Sequence, residues 1–241
     1  MESLEAELER ARGLEVAELA DAIETIGFEC TRCGACCKSE ADDPHTATVF
    51  PDEVRALQDA PSRDPDGSND LPDAPREWRD VARPMPYGVE DGAGETFEWA
   101  LQTDACGDCT FYEESEDGTG ACSVHADRPL ICETYPFSVA LGGTSQPMGE
   151  PVDSVALGDR TDATGDDEAG AVRAHECEGL GREISREDAE ELAAALKARA
   201  VRELREAIGV RDAYEPIDPD GGVVVHDSEG AKRPDGSTYD G

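Results

Sequence analysis

Apolar residues recur at helical spacing in two stretches of the chain and nowhere else at comparable length. Over residues 3–26, Leu4, Leu8, Leu19, Ile23 and Ile26 form one stripe, with Gly13 dividing the segment into two helices and Gly27 stopping it. Over residues 185–208, Leu192, Leu196, Leu204 and Ile208 form another, opened by a Ser185/Asp188 capping box and ended by Gly209. Between them the pattern is short and broken. It predicts a strand over 45–50, a helix over 51–57 with Pro51 in its first turn, and a strand over 95–102. A hairpin flanked by thiols follows between Cys106 and His125, with its turn at 113–120, and then a proline-stiffened apolar stretch over 128–137. Strands are expected at 138–141 and 152–157, and a last one at 223–225.

These elements predict an α+β fold: a small, irregular, metal-stabilised domain of short strands with flanking N- and C-terminal helices and acidic loops. Residues 1–27 form the N-terminal helical segment, 28–181 the cysteine-bearing domain and 182–214 the C-terminal helix packed on it. Residues 215–241 read as a disordered acidic tail. The stretches 59–75 and 159–170 are rich in Asp, Gly, Pro and Ser and read as acidic loops.

Charge sharpens this picture. The 57 acidic residues face 21 basic ones, of which only Lys38, Lys197 and Lys232 are lysine, and the formal net charge is −36. Such a chain repels itself at low ionic strength, whereas near 1 M salt the screening length falls to about 3 Å. The acidity therefore points to a salt-rich, halophilic cytoplasm, and it disfavours nucleic acid and anionic membrane surfaces as partners. The opening Met-Glu-Ser-Leu-Glu lacks a signal-peptide pattern. With 38% hydrophobic and 5% aromatic residues, the chain has material for one modest core.

Cysteine is the remaining resource. Cys30, Cys33, Cys36 and Cys37 lie within eight residues, and Cys106, Cys109, Cys122, Cys132 and Cys177 follow. Clustered thiols in a reducing compartment read as soft ligands, and nine exceed what one tetrahedral ion uses. The C-x-x-C-x-x-C run is similar to the ferredoxin run that holds three corners of a cubane iron–sulfur cluster. Two C-x-x-C knuckles, Cys30/Cys33 and Cys106/Cys109, equally suit zinc. A thioredoxin-like pair would stand alone rather than inside a longer run. His125 and His175 lie beside cysteines as candidate ligands, and Arg32, Lys38 and Arg128 as candidate counter-charges.

Phe28-x-Cys30-x-x-Cys33-Gly34-x-Cys36-Cys37, Cys109-x-Phe111, Cys122-x-Val124, Arg128-Pro129-x-x-Cys132-x-x-Tyr135-Pro136-Phe137 and Cys177-x-Gly179-x-Gly181 occur in that order. Together they resemble the YkgJ-type, or CxxCxxCC, cysteine-cluster family, a zinc- or iron-chelating module. The resemblance implies eight metal-binding cysteines, Cys30, Cys33, Cys36, Cys37, Cys109, Cys122, Cys132 and Cys177, and leaves Cys106 as an extra. His125, Glu133 and Glu178 depart from the family's usual residues without touching a thiol. The expected function is metal binding at one or two sites, with an iron–sulfur cluster favoured over zinc by the triple C-x-x-C-x-x-C spacing. The alternatives are a structural zinc module for protein interaction, a metal-dependent redox or methyl-transfer enzyme, and delivery of metal to other proteins. A methyl-transfer enzyme acting on flagellin lysines carries a similar cysteine pattern.

Overall fold

The computed structural model describes residues 3–39, 44–61, 75–115, 118–141, 148, 150–157, 171–217 and 221–239. Its helices are α1 (Leu4–Arg12), α2 (Val16–Ile26), α3 (Pro51–Asp59), α4 (Trp78–Val81), α5 (Leu130–Thr134) and α6 (Arg186–Ala213). The strands are β1 (Thr48–Val49), β2 (Ala82–Pro84), β3 (Val89–Glu90), β4 (Ala93–Thr96), β5 (Trp99–Leu101) and β6 (Tyr112–Glu114). They continue with β7 (Gly120–Cys122), β8 (Phe137–Ala140), β9 (Asp153–Ala156), β10 (Ala171–Ala174), β11 (Val223–Asp227) and β12 (Gly230–Lys232). The fold is α+β with several small sheets, as the sequence pattern implies. No helix among the described residues is long and apolar enough to cross a membrane.

The chain divides into two units: Met1–Thr31 with Glu133–Arg205, and Arg32–Cys132 with Glu206–Gly241. This division differs from the sequence-based boundaries, because the cysteines of residues 28–181 fall in both units.

In the first unit, α2 lies against the antiparallel sheet β8-β10-β9. Leu19, Ile23, Phe137, Val172 and Leu196 are fully buried there. The register Val172↔Val139 and Val172↔Val155 places three valines across one row, the β-branched cross-strand packing that stabilises a short sheet. Gly13 separates α1 from α2 as expected, and Gly27, at φ 77°, ends α2. Arg186 of α6 bonds Asp21 at 2.5 Å and Glu24 at 2.7 Å on α2. Ser185 caps α6 by accepting from the Asp188 N–H at 3.1 Å.

The second unit holds the sheets β1-β5-β2 and β12-β11-β4-β3 and the hairpin β6-β7. Trp78 and Trp99 meet edge to face at 5.1 Å in its core, beside Val54, Leu57, Val81 and Phe111. The Trp99 indole N–H donates to Asp227 at 2.9 Å, and Lys232 pairs with the same carboxylate at 2.7 Å, so the buried charge is matched.

Three expectations are corrected. The strand expected over 95–102 is two strands, β4 and β5, in different sheets. Helix α6 runs through Gly209 to Ala213. A Cβ at Gly209 would lie 2.5 Å from the Ser228 Cβ, so glycine serves close packing there rather than a helix stop. Residues 215–241 are not wholly a disordered tail. Val224, Val225 and His226 of β11 are buried, and β11 pairs in parallel with β4 in the register Val223↔Gly94. Of the acidic loop expected at 59–75, residues 62–74 lie outside the described residues and Asp59 ends α3; the loop expected at 159–170 lies outside them entirely.

Beside β12, Glu229 accepts from Arg55 at 2.5 Å and Lys232 at 2.7 Å, and the Arg55 hydrogen bond leads in holding its carboxyl down at about 2. A depressed carboxyl contributes stability above the unfolded value near 4.5, which is lost as pH falls toward 2. Glu229→Gln is therefore expected to cost no more than about 1 kcal/mol at pH 7, because the pair is exposed. In urea melts of wild type and variant, that gap should close between pH 4.5 and 2.

Candidate metal centre

The loop carrying the adjacent cysteines is shaped by its backbone before any sulfur is considered. Arg32 and Gly34 both take positive φ, at 58° and 76°. Residues Ala35–Cys37 then form a single 3-10 turn, closed by the Cys37 N–H donating to Gly34 O at 2.9 Å. Two contacts pin this loop. The Gly120 N–H donates to Arg32 O at 2.7 Å, and the Cys109 N–H donates to Cys37 O at 2.8 Å.

The Tyr112 ring supplies the third constraint. A Cβ at Gly34 would lie 2.2 Å from Tyr112 Oη, and one at Gly120 would lie 2.8 Å from Cε2, so the ring fits only because both residues are glycine. Tyr112 Oη donates to Glu114 at 2.7 Å, and Lys38 bonds the same carboxylate while lying 5.3 Å from the ring centre.

The other thiols of the second unit arrive on separate elements. Cys109 follows a turn in which Asp104 Oδ1 accepts from the N–H groups of Cys106 at 2.7 Å and Asp108 at 3.1 Å. Cys122 ends β7, opposite Tyr112. Cys132 sits in α5, whose first N–H, from Leu130, donates to Glu53 at 2.9 Å. The other oxygen of Glu53 accepts from the Phe50 N–H at 2.9 Å, so one carboxylate splints the starts of α3 and α5.

Cys36, Cys37, Cys109, Cys122 and Cys132 form one electrostatic group, in which Cys36 acts on each of the other four. The Cys36 and Cys37 sulfurs are 3.8 Å apart. The Cys37 hydrogen bond lowers Cys36 to about 7, and the same bond, followed by burial, drives Cys37 far upward. Burial pushes Cys109 up to about 12, and it is the leading cause that raises Cys122 and, well above its ordinary value, Cys132. Arg128 is the cation that acts on this group, favouring the thiolates of Cys36 and Cys122.

Of the eight cysteines expected as ligands, the described interactions join these five. Cys33 stands half-buried in the loop before Gly34. Cys30 and Cys177 belong to the first unit. There they flank adjoining segments, since Phe28 bridges Leu180 and the Glu29 N–H donates to Gly179 O at 3.0 Å. Cys106 is exposed. His125 accepts from Arg128 at 3.0 Å, and burial followed by Arg128 lowers its pKa. His175 is buried in the first unit against Ser138 Oγ at 2.9 Å. Lys38 is committed to Glu114 rather than to a thiol. Among the described residues, no three Cys, His, Asp or Glu side chains stand at metal-holding distances as they are.

Sequence reasoning missed Tyr112, Gly120 and Glu53. The glycine directly after Cys33 and the one two residues before Cys122 were visible, but their shared partner is not a neighbour in the chain.

The grouped side chains carry only sulfur donors, which fits a soft or borderline ion and not a hard oxygen-loving one. The family CxxCxxCC, described as "Putative zinc- or iron-chelating domain", matches residues 29–178. No curated protein and no solved structure matches the chain.

Substitution of Gly34 tests the clamp. Gly34→Ala forces a Cβ into both a left-handed residue and the Tyr112 ring, and the backbone strain alone is worth about 1–2 kcal/mol. A lower urea midpoint is expected, and Tyr112→Ala added to it should recover only the steric part.

Proposed function

The chain belongs to the CxxCxxCC family of zinc- or iron-chelating domains, and from that premise we propose that its second unit is an all-thiolate metal-binding module. The observation that carries this reading is that Cys37, Cys122 and Cys132, from the 35–37 turn, β7 and α5, pack against the core cluster that contains Cys109, with the Cys36 sulfur 3.8 Å from that of Cys37. Burial is the leading cause that raises Cys109, Cys122 and Cys132, and backbone hydrogen bonds at Cys109 and Cys122, with Arg128 at Cys122, only partly oppose it. A divalent ion would add positive charge and stabilise the thiolates, so binding would be coupled to the stability of the second unit. When bound, such a centre supplies either a structural tether or, with iron and sulfide, a redox group.

Zinc is the better-supported occupant. Thiolates contributed one or two at a time by distant segments suit a single tetrahedral ion. The iron–sulfur expectation rests on Cys30, Cys33 and Cys36 acting as three corners from one run, and the described interactions join only Cys36 of these to the group. It stays as the second reading because a cubane also takes four thiolates and the C-x-x-C-x-x-C spacing favours it. The acidic surface suits a protein working in molar salt inside the cell.

Anaerobic purification in high salt, followed by elemental analysis and a visible spectrum, separates the readings. A colourless protein with zinc is expected. Brown protein with iron and sulfide would move the assignment to iron–sulfur, and a metal-free protein with an unchanged cooperative melt would sink both.

A further inference from the structure

Aromatic residues make up only 5% of the chain, yet the second unit gathers three aromatic rings at one place on its surface. Phe97, directly after β4, and Tyr214, directly after α6, have ring centres 5.6 Å apart. His226 of β11 lies beneath them. It is 1% exposed, stacked on Phe97 at 5.4 Å with 24° between the planes, and edge-on to Tyr214 at 4.8 Å. Neither ring nitrogen of His226 makes a hydrogen bond, so what it offers its neighbours is a ring face. Glu95 of β4 stands at the edge of the group. Its carboxylate accepts from Tyr214 Oη at 3.3 Å and from the Ile217 N–H at 3.4 Å, and lies 3.5 Å from His226 Nε2. The parallel register Val224↔Glu95 and Val225↔Thr96 holds the group on paired strands.

Packing alone would be served best by burying these rings, but Phe97 is 47% and Tyr214 39% exposed. Since one face of Phe97 rests on His226, its exposure falls on the opposite face. An open aromatic face beside a carboxylate suits a planar cation. Charge selects the occupant. A second copy of the chain carries the same net charge of −36 and repels the first, whereas a basic segment is complementary. In molar salt the screening length is about 3 Å, so attraction acts at contact, and ring stacking is a contact interaction.

We propose that Phe97, Tyr214, His226 and Glu95 form a docking surface for an arginine-bearing segment of a protein partner. The guanidinium stacks on the outer face of Phe97, with His226 as the layer beneath, Tyr214 at the side and Glu95 as counter-charge. Arginine is preferred to lysine because a flat, weakly hydrated guanidinium stacks where a compact, strongly hydrated ammonium does not. The surface uses no cysteine, so it stands independently of the metal reading.

The test is fluorescence anisotropy with the full chain in about 2 M KCl, where long-range attraction to the acidic surface is screened. The probes are a labelled peptide of alternating arginine and glycine and its counterpart with lysine in place of arginine. The arginine peptide should bind saturably, and the lysine peptide at least about fivefold more weakly. Phe97→Leu keeps apolar bulk and removes the ring. It should weaken the arginine peptide about fivefold while leaving the urea melt unchanged, because Phe97 is exposed. No saturable binding, equal binding of the two peptides, or a Phe97→Leu variant that binds as wild type would each overturn the proposal. Self-association in sedimentation velocity that Phe97→Leu abolishes would give the surface to a second copy and overturn the arginine partner.

Discussion

Desolvation of sulfur is the constraint on which the second unit depends. The chain is poor in apolar residues, and its core there recruits cysteine as packing material: Cys109 is buried, and Cys37, Cys122 and Cys132 line the same cluster as Trp78, Trp99 and Phe111. Desolvation penalises the thiolate more than nearby groups favour it, which is why burial leads in raising Cys109, Cys122 and Cys132. On the metal-binding reading proposed above, the same side chains that complete the core would release their protons to a soft cation. Structure and proposed function here are two states of one set of sulfurs.

The clamp around the 32–38 loop explains how so irregular a segment keeps its shape. Two residues with positive φ, a 3-10 turn, two backbone bonds to other segments and a tyrosine wedged between glycines replace the regular ladder the loop lacks. Each of these is cheap individually. Together they hold Cys36 and Cys37 in a fixed relation to Cys109, which a flexible loop would not do.

How much of this was legible from sequence follows from the range of each interaction. The long helices were readable because their apolar stripes repeat every turn, and Ser185 and Gly27 mark ends that local chemistry alone decides. Gly209 misled because its reason is Ser228, a contact that no local rule contains. The residues beyond 215 looked like a tail because Asp, Gly and Pro dominate, yet β11 is held by β4, from the middle of the chain. At the site, motif order collected eight cysteines, while the grouping of five depends on which segments the fold brings together.

Donor identity is the central claim, and X-ray absorption at the metal edge of the protein purified in high salt addresses it directly. The account predicts a shell of sulfur alone, about 2.3 Å from zinc. A first shell containing nitrogen or oxygen from His125, Glu53 or another side chain would contradict it.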